Sequence, residues 1–254
     1  VGGVIVPQLL EALGVKRVAG LNMMPDGNFA HNPEPLPEHL KDISELVVKE
    51  KAAMGFVVDP DVDRLAIVCE DGSMFGEEYT LVAVSDYILG QTPGSTVSNL
   101  SSTRALKDVT EKHGCTYYSS AVGEVNVVDE MKRRGSVIGG EGNGGVIYPV
   151  LHYGRDALAG IALFLTHLAK SRMKCSELRK SYPAYVIAKK KITIDPGMSF
   201  GLILDSVRNE FRGSQIDERD GMRIDTPGGW VQIRKSNTEP IMRIYAEGRT
   251  SEEA

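Results

Sequence analysis

The sequence predicts an α/β fold with two domains of β-α-β type, whose sheets are mixed or mostly parallel, and a smaller α+β domain at the carboxyl end. Short β-branched runs alternate with helical patterns through residues 1–183. Proline, glycine and asparagine clusters separate these segments. From residue 184 onward the alternation changes to one helix among closely spaced strands. The predicted domains are residues 1–73, 74–183 and 184–254.

The first segment has periodicities of both strand and helix. Pro7 suits the first turn of a helix, and Leu40, Ile43 and Val47 recur at helical spacing further along the chain. A stretch rich in Pro, Asn, Asp and Gly indicates a loop between them. The predicted elements in order are strand 4–6, helix 7–13, strand 16–21, loop 23–37, helix 38–53 and strands 55–58 and 65–69.

The second and third segments differ in the order of their predicted helices and strands. The second alternates regularly, which is typical of a mostly parallel sheet, and its predicted elements are helix 77–89, strand 96–100, helix 103–113, strand 116–119, helix 124–133, strand 136–139 and helices 155–170 and 176–181. The third is of α+β type, and its predicted elements are strand 186–194, a helix from about residue 199 and strands 222–224, 230–234 and 242–246.

Composition excludes several classes of protein. The 254 residues are 42% hydrophobic and 25% charged, which is ordinary for globular domains and disfavours disorder and coiled coil. A net charge of −5 gives no electrostatic basis for binding nucleic acid or an anionic membrane. The longest apolar stretches are far shorter than the ~20 residues of a membrane-spanning helix. Three scattered cysteines and the lack of a signal-peptide pattern favour a cytoplasmic protein without disulfides or a zinc site.

An acidic motif follows the predicted strand 55–58. Asp59, Asp61 and Asp63 occupy alternate positions, so an extended segment would turn all three carboxylates to one side, where a cation must offset their repulsion. Three carboxylates with room for water suit Mg²⁺, and ligands of α/β sheets gather at the carboxyl ends of strands. A calcium loop of EF-hand type is excluded because Arg64 occupies the position that needs glycine. The alternative is a solvated acidic turn.

A glycine-rich loop, residues 139–145, follows the predicted strand 136–139. It matches G-x-G-x-x-G, but the next residues, Val-Ile-Tyr-Pro, cannot open the helix that a dinucleotide site requires. Glu141 and Asn143 offer an acceptor and a mixed donor and acceptor, which suit the vicinal hydroxyls of a sugar. The alternative is a tight turn that needs positive φ.

A third motif combines arginines with hydroxyl and amide groups, a combination suited to a phosphate monoester; its residues are Arg234, Ser236, Asn237, Thr238 and Arg243. An ordinary polar hairpin loop remains the alternative. His152 lies shortly after the glycine-rich loop and is a candidate acid or base, although a lone histidine commonly serves as a structural hydrogen-bonding group.

In this order, the three motifs resemble those of the α-D-phosphohexomutase family, over essentially the whole chain. The resemblance implies that Asp59, Asp61 and Asp63 bind Mg²⁺ and that Arg64 helps to place the reacting phosphate. It also implies that Glu141 and Asn143 hold sugar hydroxyls, while the third motif anchors the non-reacting phosphate. The implied reaction moves a phosphoryl group between the 1- and 6-positions of a hexose phosphate through a bisphosphorylated intermediate, with a glucose 1,6-bisphosphate-type activator.

The resemblance also implies what the 254 residues lack. Family members carry a phosphoserine in a first domain, and no serine here matches it, so we expect a fragment that is inactive alone. Gly145 stands where many relatives have a histidine, and either His152 or a residue of the first domain would replace it. The glycine-rich loop favours the phosphoglucosamine mutase branch. The alternatives are a phosphomannomutase/phosphoglucomutase of broad specificity and a phosphosugar-binding protein without catalysis; no pattern specifies an oligomeric state.

Overall fold

The computed structural model describes residues 1–193, 199–236 and 240–254. Within these residues the strands form a two-stranded, a four-stranded and a five-stranded sheet, surrounded by helices. The predicted mixed α/β class is confirmed, with parallel pairing in the second segment and an antiparallel sheet in the third. No helix of the described residues combines the length and the apolar character needed to cross a bilayer.

The first segment is built on an antiparallel hairpin. Strand β1 (Met54–Val58) pairs with β2 (Leu65–Cys69), and every residue of β2 is buried. Helix α2 (Lys41–Glu50), preceded by a short 3-10 turn at Pro37–His39, packs on this hairpin. The six residues between β1 and β2 carry the acidic motif, so the hairpin presents that motif at one end.

Two strand predictions in the first segment are wrong. Residues 4–6 lie inside helix α1 (Gly2–Ala12), and residues 16–21 contain neither helix nor strand. A run of three β-branched residues is too short to distinguish a strand from one face of a helix. In the structure these residues extend the predicted helix 7–13 towards the amino end, and the resulting helix α1 packs on α6 of the second segment (Ala157–Ser171).

The second segment contains a four-stranded sheet in the order β4-β3-β5-β6, with β3 parallel to both β4 and β5 and β6 antiparallel to β5. Its elements are α3 (Glu77–Gln91), β3 (Thr96–Asn99), α4 (Ala105–Lys112), β4 (Tyr117–Ser120), α5 (Glu124–Arg134), β5 (Ile138–Glu141), β6 (Gly145–Ile147), α6 (Ala157–Ser171) and α7 (Cys175–Lys180). Strand β6 was not predicted. The carboxyl ends of the parallel strands meet at one edge, where side chains that bind ligands are usually found.

The third segment is an antiparallel sheet in the order β7-β11-β10-β9-β8, accompanied by one helix among the described residues. Its elements are β7 (Val186–Thr193), α8 (Phe200–Glu210), β8 (Gln215–Asp217), β9 (Met222–Asp225), β10 (Trp230–Lys235) and β11 (Ile241–Gly248). Strand β8 was not predicted.

One hydrophobic core joins the first two segments. Leu65 and Ile67 of β2 belong to the same buried cluster as Phe75 and as Phe164 of α6. The rings of Phe75 and Phe164 meet edge to face, with centroids 4.9 Å apart. Because β2 is held in this core, the acidic loop before it has a fixed position relative to the second sheet.

The third sheet contacts the second segment through polar groups on one face. The Glu247 carboxylate accepts the backbone N–H of Arg104 at 3.0 Å, and Gln232 accepts the hydroxyl of Ser101. Lys189 forms an ion pair with Glu77 at 2.6 Å. Side chains two positions apart share a face of a strand, so this face continues into the basic residues at the end of β10.

Candidate functional site

The acidic loop, residues 59–64, is folded around the buried carboxylate of Asp59. Its Oδ1 accepts the backbone N–H groups of Asp63 and Arg64, each at 3.0 Å, and its Oδ2 accepts Nε of Arg64 at 2.6 Å. Val62 has a left-handed φ of 62°. The loop is therefore a turn, and the predicted extended geometry is wrong. The turn nevertheless brings ligand oxygens of Asp59, Asp61 and Asp63 within 4.8 Å of one another.

The electrostatics of the acidic loop differ from one carboxylate to the next. Burial opposes ionisation of Asp59, but hydrogen bonds from the backbone and guanidinium of Arg64 outweigh it and hold the Asp59 pKa below its usual value. Burial, together with the neighbouring Asp59 carboxylate, raises the pKa of Asp63 to about 6 despite a nearby arginine. Two carboxylates this close repel each other, and a cation between them would favour the charged form of both.

The donor set of the acidic loop fits a hard divalent cation. Asp63 Oδ1 is buried and accepts no hydrogen bond from the described residues, and it lies 3.7 Å from Nε of Arg64. Asp61 is exposed at the rim of the loop, where a bound ion could keep water ligands. A set of carboxylate oxygens with one buried oxygen unused suits Mg²⁺, which takes few protein ligands and retains several waters.

The glycine-rich loop lies directly against the acidic loop. The carbonyl of Gly144 accepts the backbone N–H of Leu65 at 3.1 Å, and the N–H of Gly142 donates to the hydroxyl of Ser102 at 2.9 Å. Gly144 has a φ of 86°, and a Cβ there would fall 2.4 Å from the Leu65 carbonyl oxygen. Glycine is therefore required at this position. Residues after the loop form β6, which confirms that no helix opens here and excludes a dinucleotide-binding turn.

Glu141 ends strand β5 and is only 5% exposed. Its Oε1 accepts Nδ2 of Asn99 at 2.8 Å and the N–H of Gly123 at 3.2 Å, and its Oε2 accepts a guanidinium N–H of Arg155 at 2.9 Å. Asn143 is half-buried, and its Oδ1 accepts the N–H of Gly145 at 3.1 Å. Glu141 thus connects the start of the glycine-rich loop to Asn99, Gly123 and Arg155. The roles of Glu141 and Asn143 toward a sugar stay predictions.

Arg155 is a site residue that sequence reasoning missed. Besides Glu141, its guanidinium pairs with Oδ2 of Asp63, and its Nε lies 3.5 Å from Glu124 Oε2. The sequence does contain one indication of Arg155. The run Gly-Arg-Asp follows shortly after the glycine-rich loop, in which Gly145 leaves space for a side chain from elsewhere. Asp63 and Arg155 are 92 positions apart in sequence, and no local pattern indicates that they are in contact.

His152 lies on the same connection and is exposed. Its Nε2 is 2.9 Å from Oδ2 of Asp156, whose other carboxylate oxygen caps helix α6 by accepting the N–H of Ala159. This pairing orients the imidazole on the surface near the site. A role of His152 in proton transfer stays a prediction.

The basic residues of the third motif lie on paired strands. Arg234 of β10 is directly opposite Arg243 of β11, which is opposite Lys191 of β7 on its other side. Nε of Arg234 is buried and donates no hydrogen bond to the described residues, and Ser236 is 7% exposed. Arg234, Arg243 and Lys191, here called the basic row, place three basic side chains on one face of the sheet, a donor set suited to an anion. Asn237 and Thr238 lie outside the described residues.

The basic row shares a face with Gln232 and Glu247, since alternate residues of a strand point the same way. Those two side chains contact Ser101 and Arg104, which follow the carboxyl end of β3. The row therefore faces the edge of the second sheet where the glycine-rich loop lies, with the acidic loop of the first segment packed against it. Fold and site together define a three-segment α/β protein with candidate sites for a divalent cation and for a phosphorylated ligand.

Comparison with known proteins agrees with this description. Three family models, described as phosphoglucomutase/phosphomannomutase alpha/beta/alpha domain II, alpha/beta/alpha domain III and C-terminal domain, match residues 1–72, 76–185 and 184–254. A phosphoglucomutase/phosphomannomutase of Thermococcus kodakarensis is 35% identical over 100% of this chain and 56% of its own length. A probable phosphoglucosamine mutase of Methanopyrus kandleri is 31% identical over 98% of this chain and 56% of its own length.

A solved structure is also similar. The crystal structure of a phosphoglucomutase/phosphomannomutase family protein from Burkholderia thailandensis superposes with a TM-score of 0.85 and 27% identity, covering 99% of this chain and 55% of that one. The chain belongs to the phosphoglucomutase/phosphomannomutase family, which confirms the resemblance to the phosphohexomutases. It spans about half the length of the curated relatives it matches.

Proposed function

We propose that this chain supplies the metal, sugar and phosphate sites of a Mg²⁺-dependent phosphohexomutase. The enzyme would interconvert hexose 1-phosphate and hexose 6-phosphate through a bisphosphorylated intermediate. One observation carries the proposal: the hydrogen bond from Leu65 N–H to the Gly144 carbonyl joins the acidic loop to the glycine-rich loop. A cation and a sugar held by these loops would be adjacent, as phosphoryl transfer to a sugar requires.

Each group of residues has a distinct task in this proposal. Mg²⁺ bound by Asp59, Asp61 and Asp63 would neutralise negative charge on the reacting phosphoryl group. Arg64 holds Asp59 in place and lies beside the same loop, where it would help to place that group. Glu141 and Asn143 would contact the sugar hydroxyls. Either His152 or a residue of the first domain would supply the acid or base that Gly145 cannot.

The basic row would anchor the phosphate that does not react. Arg234, Ser236 and Arg243 belong to this pocket, and the proposal extends it to Asn237 and Thr238. Because the pocket is separate from the acidic loop, a bisphosphorylated sugar can place either phosphate in it and present the other for transfer. That alternation is what interconversion of 1- and 6-phosphates needs.

The proposal places the phosphoserine outside these 254 residues. The three matched family models are those of domain II, domain III and the C-terminal domain. We propose domain limits at residues 1–73, 74–183 and 184–254. The isolated chain would then bind a phosphosugar without turning it over. A glucose 1,6-bisphosphate-type activator would phosphorylate the serine of the complete enzyme.

Phosphoglucosamine mutase is the preferred member of the family, because the Methanopyrus kandleri relative bears that name. The Thermococcus kodakarensis relative supports a second candidate, a phosphomannomutase/phosphoglucomutase of broad specificity. A phosphosugar-binding protein without catalysis is the remaining alternative.

Steady-state kinetics of the complete enzyme tests the proposal. The specificity constants kcat/KM for glucosamine 6-phosphate, mannose 1-phosphate and glucose 1-phosphate are compared with Mg²⁺ and glucose 1,6-bisphosphate present. A preference for the amino sugar supports phosphoglucosamine mutase, and similar constants support the broad-specificity enzyme. Absence of turnover of every sugar by the complete enzyme, with retained binding, would leave the non-catalytic alternative. Turnover by the 254-residue chain alone contradicts the placement of the phosphoserine.

A further inference from the structure

The backbone around Arg155 is fixed by three other parts of the fold. Its N–H donates to Oε1 of Glu124 at 2.9 Å, and the next N–H, of Asp156, donates to the carbonyl of Val146 in β6 at 2.8 Å. The N–H of Ala157 donates to the carbonyl of Val62 in the acidic loop at 3.1 Å. The segment therefore lies between the acidic loop and the glycine-rich hairpin, in contact with both.

The side chain of Arg155 bridges the same two loops. One terminal nitrogen pairs with Oδ2 of Asp63, and the other donates to Oε2 of Glu141 at 2.9 Å. The side chain is 20% exposed, so water screens these contacts only in part. The planar guanidinium holds two carboxylates at once in a fixed geometry, whereas a lysine ammonium group is a compact charge on a flexible stem and does not fix their relative orientation.

Gly145 provides the space that this bridge occupies. A Cβ at Gly145 would fall 2.4 Å from Cδ of Arg155. The aliphatic stem of Arg155 therefore lies where a side chain at position 145 would begin. Any larger residue there would push the arginine away from Asp63 and Glu141.

The two oxygens of Asp63 have different surroundings. Oδ2 is held by Arg155, whereas Oδ1 is buried and accepts no hydrogen bond from the described residues. A cation taken up through Oδ1 would leave the contact with Arg155 intact. Groups that hydrogen-bond to a metal ligand commonly fix the orientation of that ligand. Arg155 would act on Asp63 in this way.

We propose that Arg155 is a positioning residue that couples cation binding at the acidic loop to the conformation of the glycine-rich loop, through the chain of contacts Asp63–Arg155–Glu141. The proposal rests on the proposed function for the identity of the two loops as cation and sugar sites. Coupling of this kind is reciprocal, so a sugar bound at the glycine-rich loop would also tighten cation binding.

Hydrogen exchange with Mg²⁺ alone as the probe tests the coupling in the complete 254-residue chain. In the wild type, Mg²⁺ should slow amide exchange in residues 59–65 and also in residues 140–147, the latter by ~5-fold or more. In Arg155→Lys, Mg²⁺ should still slow exchange in residues 59–65 but no longer in residues 140–147. The experiment compares how the two loops of the same protein respond to Mg²⁺. A general loss of structure would change exchange in both loops, whereas loss of the coupling changes the response of residues 140–147 alone.

Two further variants make the test specific. Arg133→Lys makes the same chemical change on α5, where the arginine pairs with Glu130 on the surface, and it should keep the wild-type pattern. Gly145→Ala leaves the charge of Arg155 in place but displaces its stem, and it should also uncouple the loops. Thermal unfolding identifies a variant that fails to fold, and Gly145→Ala then replaces Arg155→Lys.

Protection of residues 140–147 that persists in a folded Arg155→Lys or Gly145→Ala protein overturns the proposal. So does a wild type in which Mg²⁺ protects residues 59–65 alone. Calorimetric titration with glucose 1,6-bisphosphate in EDTA reports the proposed function separately. Failure to bind the bisphosphate while the two loops respond together to Mg²⁺ refutes the function and supports the coupling.

Discussion

Arg234 and Arg243 occupy directly opposite positions on two hydrogen-bonded antiparallel strands. Residues paired in this way have their side chains on the same face, so both guanidinium groups belong to one face of the sheet. Lys235, the next residue of β10, faces the other side of the sheet, by the alternation of a strand. Two consecutive residues of β10 therefore differ in their surroundings. Arg234 belongs to the candidate anion site, whereas Lys235 is a surface lysine on the opposite face.

Replacing Arg243 should weaken phosphosugar binding selectively. Arg243→Ala removes a charge-assisted hydrogen-bond donor and should lower the affinity for glucose 1,6-bisphosphate by about 10-fold or more. Lys235→Ala removes one positive charge from the opposite face and should change the affinity little. Isothermal titration of both variants gives the comparison. Equal losses would mean that net charge, and not the paired arginines, attracts the ligand.

Under the proposed function, Asp61→Asn should abolish the activity of the complete enzyme without unfolding it. The side chain is exposed, so the fold does not depend on it, but it supplies one of three converging carboxylates. We expect Mg²⁺ affinity to fall by at least about 10-fold. Asp129→Asn, an exposed change on α5, is the control. Wild-type turnover by Asp61→Asn at limiting Mg²⁺ would remove Asp61 from the metal site.

Alanine at Gly144 should destabilise the fold more than alanine at Gly135. Both glycines have positive φ, 86° and 62°, so both substitutions incur a backbone cost of roughly 1–2 kcal/mol. Only at Gly144 does a Cβ collide with backbone, 2.4 Å from the Leu65 carbonyl oxygen, whereas nothing lies within 4 Å of a Cβ at Gly135. Urea unfolding measures both. Equal free-energy losses would show that the two loops separate easily.

Glu78 should make stability fall as pH rises. Burial raises its pKa to about 8, although Lys189 and the N–H of Thr103 favour the charged form. Between its ordinary value of 4.5 and about 8, the folded state holds a proton that the unfolded state has lost, so the free energy of unfolding decreases by up to about 1.4 kcal/mol per pH unit.

Glu78→Gln removes this proton uptake but keeps a hydrogen-bond acceptor for Thr103. The free energy of unfolding of the wild type minus that of the variant should therefore decrease from pH 5 to pH 8. The contribution of the protonated Glu78 to this difference is complete only below about pH 4.5. Urea unfolding at several pH values measures the difference. Glu111→Gln, a surface change on α4, should reproduce the wild-type profile. A constant difference between wild type and Glu78→Gln would mean that Glu78 titrates alike in both states.

Local sequence was sufficient for much of the fold and for the acidic loop. Asp59, Asp61 and Asp63 are close in sequence, so any compact turn brings them together, even though the turn differs from the extended form expected. Alternating patterns in the second segment are long enough to specify helices and strands. Residues 4–6 were predicted wrongly because three β-branched residues fit either form, and contact with α6 decides for the helix.

Contacts between distant segments could not be predicted in the same way. Arg155 meets Asp63 only because the core places β2 beside α6, a relationship that no local pattern encodes. The hydrogen bonds of Glu141 likewise come from distant residues, Asn99 at the end of β3 and Gly123 just before α5. The sequence therefore identified the residues of each motif but not the arginine that connects two of them.

The hydrophobic core that contains both Leu65 and Phe164 limits where segments of homologous genes can be exchanged by recombination. Residues 1–73 have a two-stranded sheet, which is marginal without further packing, and their buried side chains are completed by α3 and α6. Recombination between homologous genes at residue 73 would combine halves of two different cores. An exchange at residue 183 would cut mainly polar contacts, so residues 1–183 are the block that a chimaeric enzyme should inherit intact.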